Sequence, residues 1–310
     1  MTLIRVVITF ILTILLAAAC ARSDTDSAKR ATGPGKGAKE KPLLIGLPPE
    51  YKIFDQVARY QPLADYLSAR IGRKIVVAAL PRYGNIIDDF ASMQMDGAFF
   101  GSFAYVLACH KMRLEVLARP ESADGISTYH GLIFVKKNSG IRYAKDMRGK
   151  RFAFVDKATT AGYLLPLEYF KKAEIKDYRR YLKENYFAGS HEDAIYDVLN
   201  GKADIGAAKN TVFDKLAKTD KRIKSELTII ERSPDVPENA LAVRKDLDPA
   251  LKNRLREALL TMHDDPEGRK VLEDFGARKF IATADNDYEP VNRYVNAIGL
   301  DLATYDYRNN

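Results

Sequence analysis

The sequence predicts an α/β fold in two lobes joined by a two-stranded hinge, and three observations carry that reading. From Pro42 onward, short apolar runs alternate with helical periods, the pattern of strands linked by helices in a largely parallel sheet. The alternation comes in two series, and a single sheet holding both would need about eight or more strands against the usual four to six. Two segments flanking the second series, YHGLIFVKKNSGI (129–141) and ENALAVRKDLDP (238–249), look alike: each is an apolar alternation ending in valine, a base and a polar turn. They suit one strand leaving the first lobe and one returning. A single doubly wound domain with a long insertion is the alternative.

The chain opens with MTLIRVVITFILTILLAAAC: an early arginine, an apolar run and small residues before Cys20. This is a secretory leader, and the apolar run is shorter than the roughly 20 residues that span a bilayer. Leu16-Ala17-Ala18-Ala19-Cys20 resembles the lipobox of bacterial lipoproteins, which implies lipidation at Cys20; Ala17 departs from the larger aliphatic residue usual there. Residues 21–42, without a large apolar side chain and rich in Gly, Ser, Ala and Lys, read as a flexible tether. With Cys20 consumed by lipid, Cys109 has no intramolecular partner, so no disulfide is expected.

In the first series, PLLIGLP is a buried strand, and QPLADYLSARIG is a helix with Pro62 in its first turn, Leu63, Leu67 and Ile71 on one face, and Gly72 as its stop. KIVVAAL is a strand, NIIDDFASMQM a helix and GAFFG a short strand. After GLIFVKK, the second series runs through strand RFAFV, a helix from about Ala161, strand ENYFAG, helix HEDAIYDVLNG, strand ADIGAA, helix TVFDKLAK and strand LTIIER. Two proline-opened helices, PALKNRLREALLTM and PEGRKVLEDFG, then pack back on the first lobe. The expected lobes are 43–133 with 245–310, and 134–244.

The chain has 49 Lys and Arg against 41 Asp and Glu; seven of those bases and three of those acids lie in residues 1–42, leaving 42 against 38 in the folded part. The balance is mild and interspersed, with no clustered basic, aromatic stripe, so no nucleic-acid partner is expected.

Three strand ends carry polar residues at a helix start. After RFAFV, Thr159 and Thr160 precede small Ala161 and Gly162. The hydroxyls either cap the helix or hold a ligand, and an oxyanion suits the unpaired N–H groups there. Pro166 removes a donor and disfavours an α conformation at Leu165, so the first turn is distorted and the Gly162 carbonyl freed. After GAFFG, Gly101 permits close approach and Ser102 is a good N-cap for the helix bearing Tyr105. In GSHEDAIYDVLNG, Ser190 and Asp193 form a capping-box-like pair that puts His191 at the first helical position, where imidazolium is disfavoured and a neutral hydrogen-bond donor results. Each has a plain structural reading, as a cap or a surface histidine. Their shared place at strand carboxyl ends, where open α/β sheets bind ligands, brings them to one crevice.

The order and spacing of YQPLADYL, DGAFFGSFAYVLA, YHGLIFVKKNSGI, FVDKATTAGYLLP, GSHEDAIYDVLNGKADIGA and ERSPDVPENALAVRKDL resembles the periplasmic phosphate, phosphite and phosphonate-binding proteins of ABC importers, over nearly all of Leu43 to Asn310. The resemblance implies a two-lobed type II periplasmic binding protein fold that clamps a small oxyanion and delivers it to a membrane permease. It carries a phosphonate grip over to Thr159, Thr160, Ala161 and Gly162, a phosphonate-binding histidine to His191, a first-strand loop to Glu50 and Tyr51, and an aromatic over the ligand to Tyr105. Ala161 replaces a hydroxyl of the family pattern. In members that bind an aminoalkyl phosphonate an acid meets the ammonium, and its equivalent here is Asn239, next to Glu238; this weakens the case for an amino-phosphonate and leaves a smaller oxyanion or a different organic anion open.

The expected site is therefore Tyr51, Gly101, Ser102, Tyr105, Thr159, Thr160, Ala161, His191 and Asn239, with no cofactor or metal, in a monomer anchored through Cys20. A hydrolase using Thr160 or Ser190 with His191 is the rival class, but no nucleophile elbow, paired carboxylates or metal-spaced histidines support it. The same fold used as a ligand sensor for a receptor or kinase is a third reading.

Overall fold

A computed structural model describes residues 41–309. The expected leader, Cys20 and the expected tether as far as Glu40 lie outside the described residues. Thirteen strands follow in chain order: β1 (Leu43–Leu47), β2 (Ile75–Ala79), β3 (Gly97–Phe100), β4 (Leu114–Glu121), β5 (Thr128–Tyr129), β6 (Gly131–Lys136), β7 (Arg151–Phe154), β8 (Glu184–Phe187), β9 (Ile205–Lys209), β10 (Leu227–Arg232), β11 (Val236–Pro237), β12 (Ala240–Arg244) and β13 (Lys279–Ala282).

They form two main sheets with one plan. The first runs β2-β1-β3-β12-β4-β13 and the second β8-β7-β9-β6-β10. In each, three strands separated by helices pair in parallel, β1 with β2 and β3, and β7 with β8 and β9. In each, a strand next to a chain crossing is inserted antiparallel beside the third: β12 against β3 and β4, β6 against β9 and β10. Strands flanked on both sides must be apolar on both faces. Accordingly β3 and β9 are buried at every residue.

The chain crosses between the sheets twice, and the crossings pair as a small antiparallel ladder, Val236 with Tyr129 and Pro237 with Thr128. This two-stranded hinge takes in only Tyr129 of the two look-alike segments, whose own strands β6 and β12 belong to the main sheets. Gly131 begins a strand of the second sheet, and Ala240–Arg244 pairs within the first.

The helix expected from Gln61 begins at Ile53 and runs to Ile71, so Pro62 lies in its interior instead of its first turn. An interior proline costs ~3 kcal/mol in an isolated helix; here Tyr60, Leu63, Ala64 and Leu67 are buried around it and offset that cost. Gly72 ends the helix in a left-handed conformation, φ 69°. The helices Pro249–Thr261 and Pro266–Phe275 join that core through Leu251, Leu255, Leu259, Leu272 and Phe275.

The last helix, Glu289–Ile298, behaves differently. It lies against helix Ser102–Lys111 of the first lobe and helix Leu165–Lys172 of the second. The tail beyond it also spans both. Tyr307 Oη donates to Asp88 Oδ1 at 2.6 Å on one side, while Tyr305 Oη donates to the Lys157 carbonyl at 2.8 Å and Asn309 Nδ2 to Asp156 Oδ2 at 2.6 Å on the other.

Candidate functional site

The three parallel strands of each sheet end at one interior cavity. From the first sheet come Glu50 after β1, Tyr83 after β2 and Gly101 after β3; from the second, Ala158 to Thr160 after β7, His191 after β8 and Lys209 closing β9. Tyr129 and Asn239, from the two crossings, complete the wall. About 10 Å³ is open to the centre of a water molecule, room for roughly one water. Larger grooves, about 900 Å³ beside Phe90 and Arg113 and about 510 Å³ beside Arg82 and Arg179, contain none of these hydroxyl and imidazole groups.

The lobes are closed on each other. Phe103 N donates to Thr160 Oγ1 at 3.1 Å across the cleft, and the Lys52 backbone N–H reaches Glu192 Oε2 at 3.4 Å. Thr159 is the N-cap residue, but its hydroxyl donates to the Asp156 carbonyl at 2.6 Å and so shapes its own turn. The helix start is distorted as Pro166 dictates. Thr160–Leu164 is one π-helical turn, with the Leu164 N–H reaching Thr159 O, and the freed Gly162 carbonyl accepts from Val155 N at 3.2 Å. Glycine is required at 162: a Cβ there would stand 2.4 Å from Val155 Cβ and 2.8 Å from Thr159 Oγ1. Ala161 packs on β6 opposite Gly131 and does not line the cavity.

His191 is the first residue of its helix, and Ser190 accepts the Asp193 N–H at 3.0 Å as the capping pair predicts. His191 Nδ1 accepts the Lys209 backbone N–H at 3.2 Å, which leaves the ring proton on Nε2. Burial pushes its pKa down to about 3; Glu50 opposes that shift and Lys209 adds to it. The imidazole is therefore a neutral Nε2–H donor at ordinary pH. Tyr83, its ring edge-on to His191 with centroids 5.7 Å apart, has a buried hydroxyl with no partner among the described residues. Such a group costs about 1–3 kcal/mol when left unpaired.

Between these donors lies an ion network. Lys209 Nζ donates to Glu50 Oε1 at 2.7 Å, to Glu238 Oε1 and to Asn239 Oδ1 at 3.3 Å, and stands 4.4 Å from the Tyr129 ring centre. Arg59 Nη1 holds the other Glu50 oxygen at 3.3 Å. Burial would raise the Glu50 pKa, but Lys209 and Arg59 reverse this and hold it at about 2. Burial would lower that of Lys209, and Glu238 and Glu50 raise it instead. Both groups are charged.

Of the sequence-predicted residues, Gly101, Thr159, Thr160, His191 and Asn239 line the cavity. Tyr51, Ser102, Tyr105 and Ala161 do not. Gly101 is the N-cap of its helix; Ser102, one residue later, donates its hydroxyl to the Pro237 carbonyl at 2.5 Å and so ties helix to hinge. Tyr105 donates to Asp285 Oδ1 and packs on Tyr288 with ring centres 4.4 Å apart. Tyr51 lies under Lys215, whose Nζ is 4.6 Å from the ring centre. Sequence reasoning missed Tyr83, Tyr129 and Lys209. The signal for Lys209 was present: ADIGAAKN is a fourth strand end before a helix, and the lysine stands at its last strand position.

Residues 45–288 match the family described as ABC transporter, phosphonate, periplasmic substrate-binding protein. The chain is 26% identical over 262 residues to the phosphonates-binding periplasmic protein of Escherichia coli K12, covering 82% of this chain and 76% of that one. It is 27% identical over an alignment of 312 residues to the phosphate-import protein PhnD of Mycolicibacterium smegmatis, covering 93% and 94%. Among solved structures, a binding component of an ABC phosphonate transporter from Pseudomonas aeruginosa superposes with a TM-score of 0.76 at 25% identity, covering 82% and 86%. PhnD1 of Prochlorococcus marinus, in complex with methylphosphonate, gives 0.74 at 20% identity over 84% and 98%, a likeness of fold. The chain thus belongs to the periplasmic phosphonate substrate-binding proteins of ABC transporters.

Proposed function

We propose that the cavity holds a small phosphonate-like oxyanion, phosphonate, phosphite or phosphate, and that the closed lobes present it to a membrane permease. The observation that carries this reading is the buried Tyr83 hydroxyl without a partner, beside the neutral His191 Nε2–H and the Thr160 hydroxyl. Micromolar affinity needs about 8 kcal/mol, and hydrogen bonds to a charged group contribute about 1.5–3 kcal/mol each, so these three donors with one or two backbone amides reach that scale. A ligand touching both lobes favours closure by its differential affinity for the closed state. Opening the lobes is needed for entry, because the closed cavity has room for roughly one water.

Binding without turnover fits the bonding of the candidate nucleophiles. His191 Nδ1 already accepts a backbone N–H and Nε2 carries the ring proton, so the imidazole has no free lone pair to serve as base for Thr160 or Ser190. We place the lobe boundary at the hinge ladder, and we propose a monomer anchored by lipid on Cys20. Titration calorimetry with phosphate, phosphite and methylphosphonate tests the ligand class: micromolar heat from at least one supports it, and silence from all three with folded protein overturns it. Fractionation of a Cys20→Ala strain tests the anchor, which predicts release of the protein from the membrane.

A further inference from the structure

We propose that Lys209 is a built-in occupant of an ammonium site, so that the cleft accepts small oxyanions without a cationic group and rejects their amino-substituted counterparts. The inference rests on the oxyanion reading above and deepens it to a ligand subclass. An ammonium has three N–H donors and no acceptor. Lys209 Nζ finds one acceptor for each, on Glu50, Glu238 and Asn239, and places its charge over the Tyr129 face. That is the complete environment a free alkylammonium would need, and the lysine side chain is 3% exposed. Its backbone is fixed as well, since the Lys209 N–H is bonded to His191 Nδ1.

The charge count closes the box to a second cation. Two carboxylates, Glu50 and Glu238, meet two cations, Lys209 and Arg59, around a neutral His191. A ligand ammonium would find no free carboxylate and would face a like charge. The box and the candidate oxyanion donors share one cavity, so a short amino oxyanion is the ligand whose ammonium would reach it. Replacing the lysine by a small residue turns the box into an empty cation site.

The test measures methylphosphonate and 2-aminoethylphosphonate by calorimetry on the wild type and on Lys209→Ala, together with the thermal shift of each protein in butylammonium chloride against sodium chloride at equal ionic strength. The expected result is at least tenfold tighter methylphosphonate binding by the wild type, reversal of that preference in Lys209→Ala, and a thermal shift with butylammonium in the variant only. Equal affinity of the wild type for both phosphonates overturns the proposal, and so does a folded variant that neither reverses the preference nor responds to butylammonium. Should Lys209→Ala not fold, Lys209→Ser carries the same measurements, because it removes the ammonium and leaves both Glu50 and Glu238 to receive an added one. A wild type silent to every phosphonate defeats the oxyanion reading alone; the butylammonium arm still decides the fate of the box.

Discussion

The two lobes are built on one plan and load it with different chemistry. At corresponding strand ends the first lobe offers Glu50, Tyr83 and Gly101, and the second offers Thr160, His191 and Lys209. The second lobe thus supplies hydroxyl, imidazole and ammonium donors; the first supplies a carboxylate, a bare backbone and the unpartnered phenol. A shared topology fixes where side chains meet, while the residue at each strand end decides what they hold. The lobes also need each other: the ion pair between Glu50 and Lys209 joins a strand end of one lobe to a strand end of the other and forms when the cleft is closed.

The sharpest way to break the comparison is Lys209→Met, which keeps the bulk and removes the charge. Breaking a buried ion pair from one side costs ~3–5 kcal/mol, and chemical denaturation should report a loss of that size. Next come the donors. His191→Ala and Tyr83→Phe should each weaken oxyanion binding by roughly tenfold to a hundredfold, the equivalent of one hydrogen bond to a charged group. They should part company in stability: Tyr83→Phe removes a hydroxyl that has no partner, so calorimetric affinity should fall while the melting temperature holds or rises.

Acid should act through both lobes in sequence. His191 titrates near 6.5 when unfolded and at about 3 in the fold, so the unfolded state binds the proton first and stability falls as pH drops from about 6.5 toward 3. Glu50, held at about 2 against an ordinary 4.5, adds a further loss from about 4.5 downward. Melting temperatures of His191→Gln should be flatter than wild type between pH 6.5 and 4.5, and an unchanged slope there would remove His191 as the source. Gly162→Ala, whose Cβ meets Val155, should cost ~1–3 kcal/mol by overpacking and should be visible in denaturation midpoints. The smallest effect is expected at Tyr105→Phe: about 1 kcal/mol of stability from the lost bond to Asp285, with ligand affinity unchanged.

How much of this was legible in the sequence follows the range of the interactions. Alternating runs, the Gly72 stop, the Ser190 capping pair and the disturbed turn before Pro166 are local, and each is visible in the residues that make it. Pro62 misled because burial of its neighbours outweighs the local cost of an interior proline. Ser102 reads as a cap until the Pro237 carbonyl, 135 positions away, claims its hydroxyl. The strand end of ADIGAAKN marks where Lys209 stands, but its partners at 50 and 238 are brought to it by tertiary contact. Tyr105 sits on the right helix, but the C-terminal Asp285 and Tyr288 draw it to the far side.

The hydrogen bonds of the tail that crosses from Asp88 to Asp156 and Lys157 end on none of the residues that line the cavity. Bonds that span both lobes favour closure whatever lies inside. The tail therefore behaves as a sensitivity setting: deleting residues 303–310 should weaken every ligand by the same factor, leaving the ratio between any two ligands as it was.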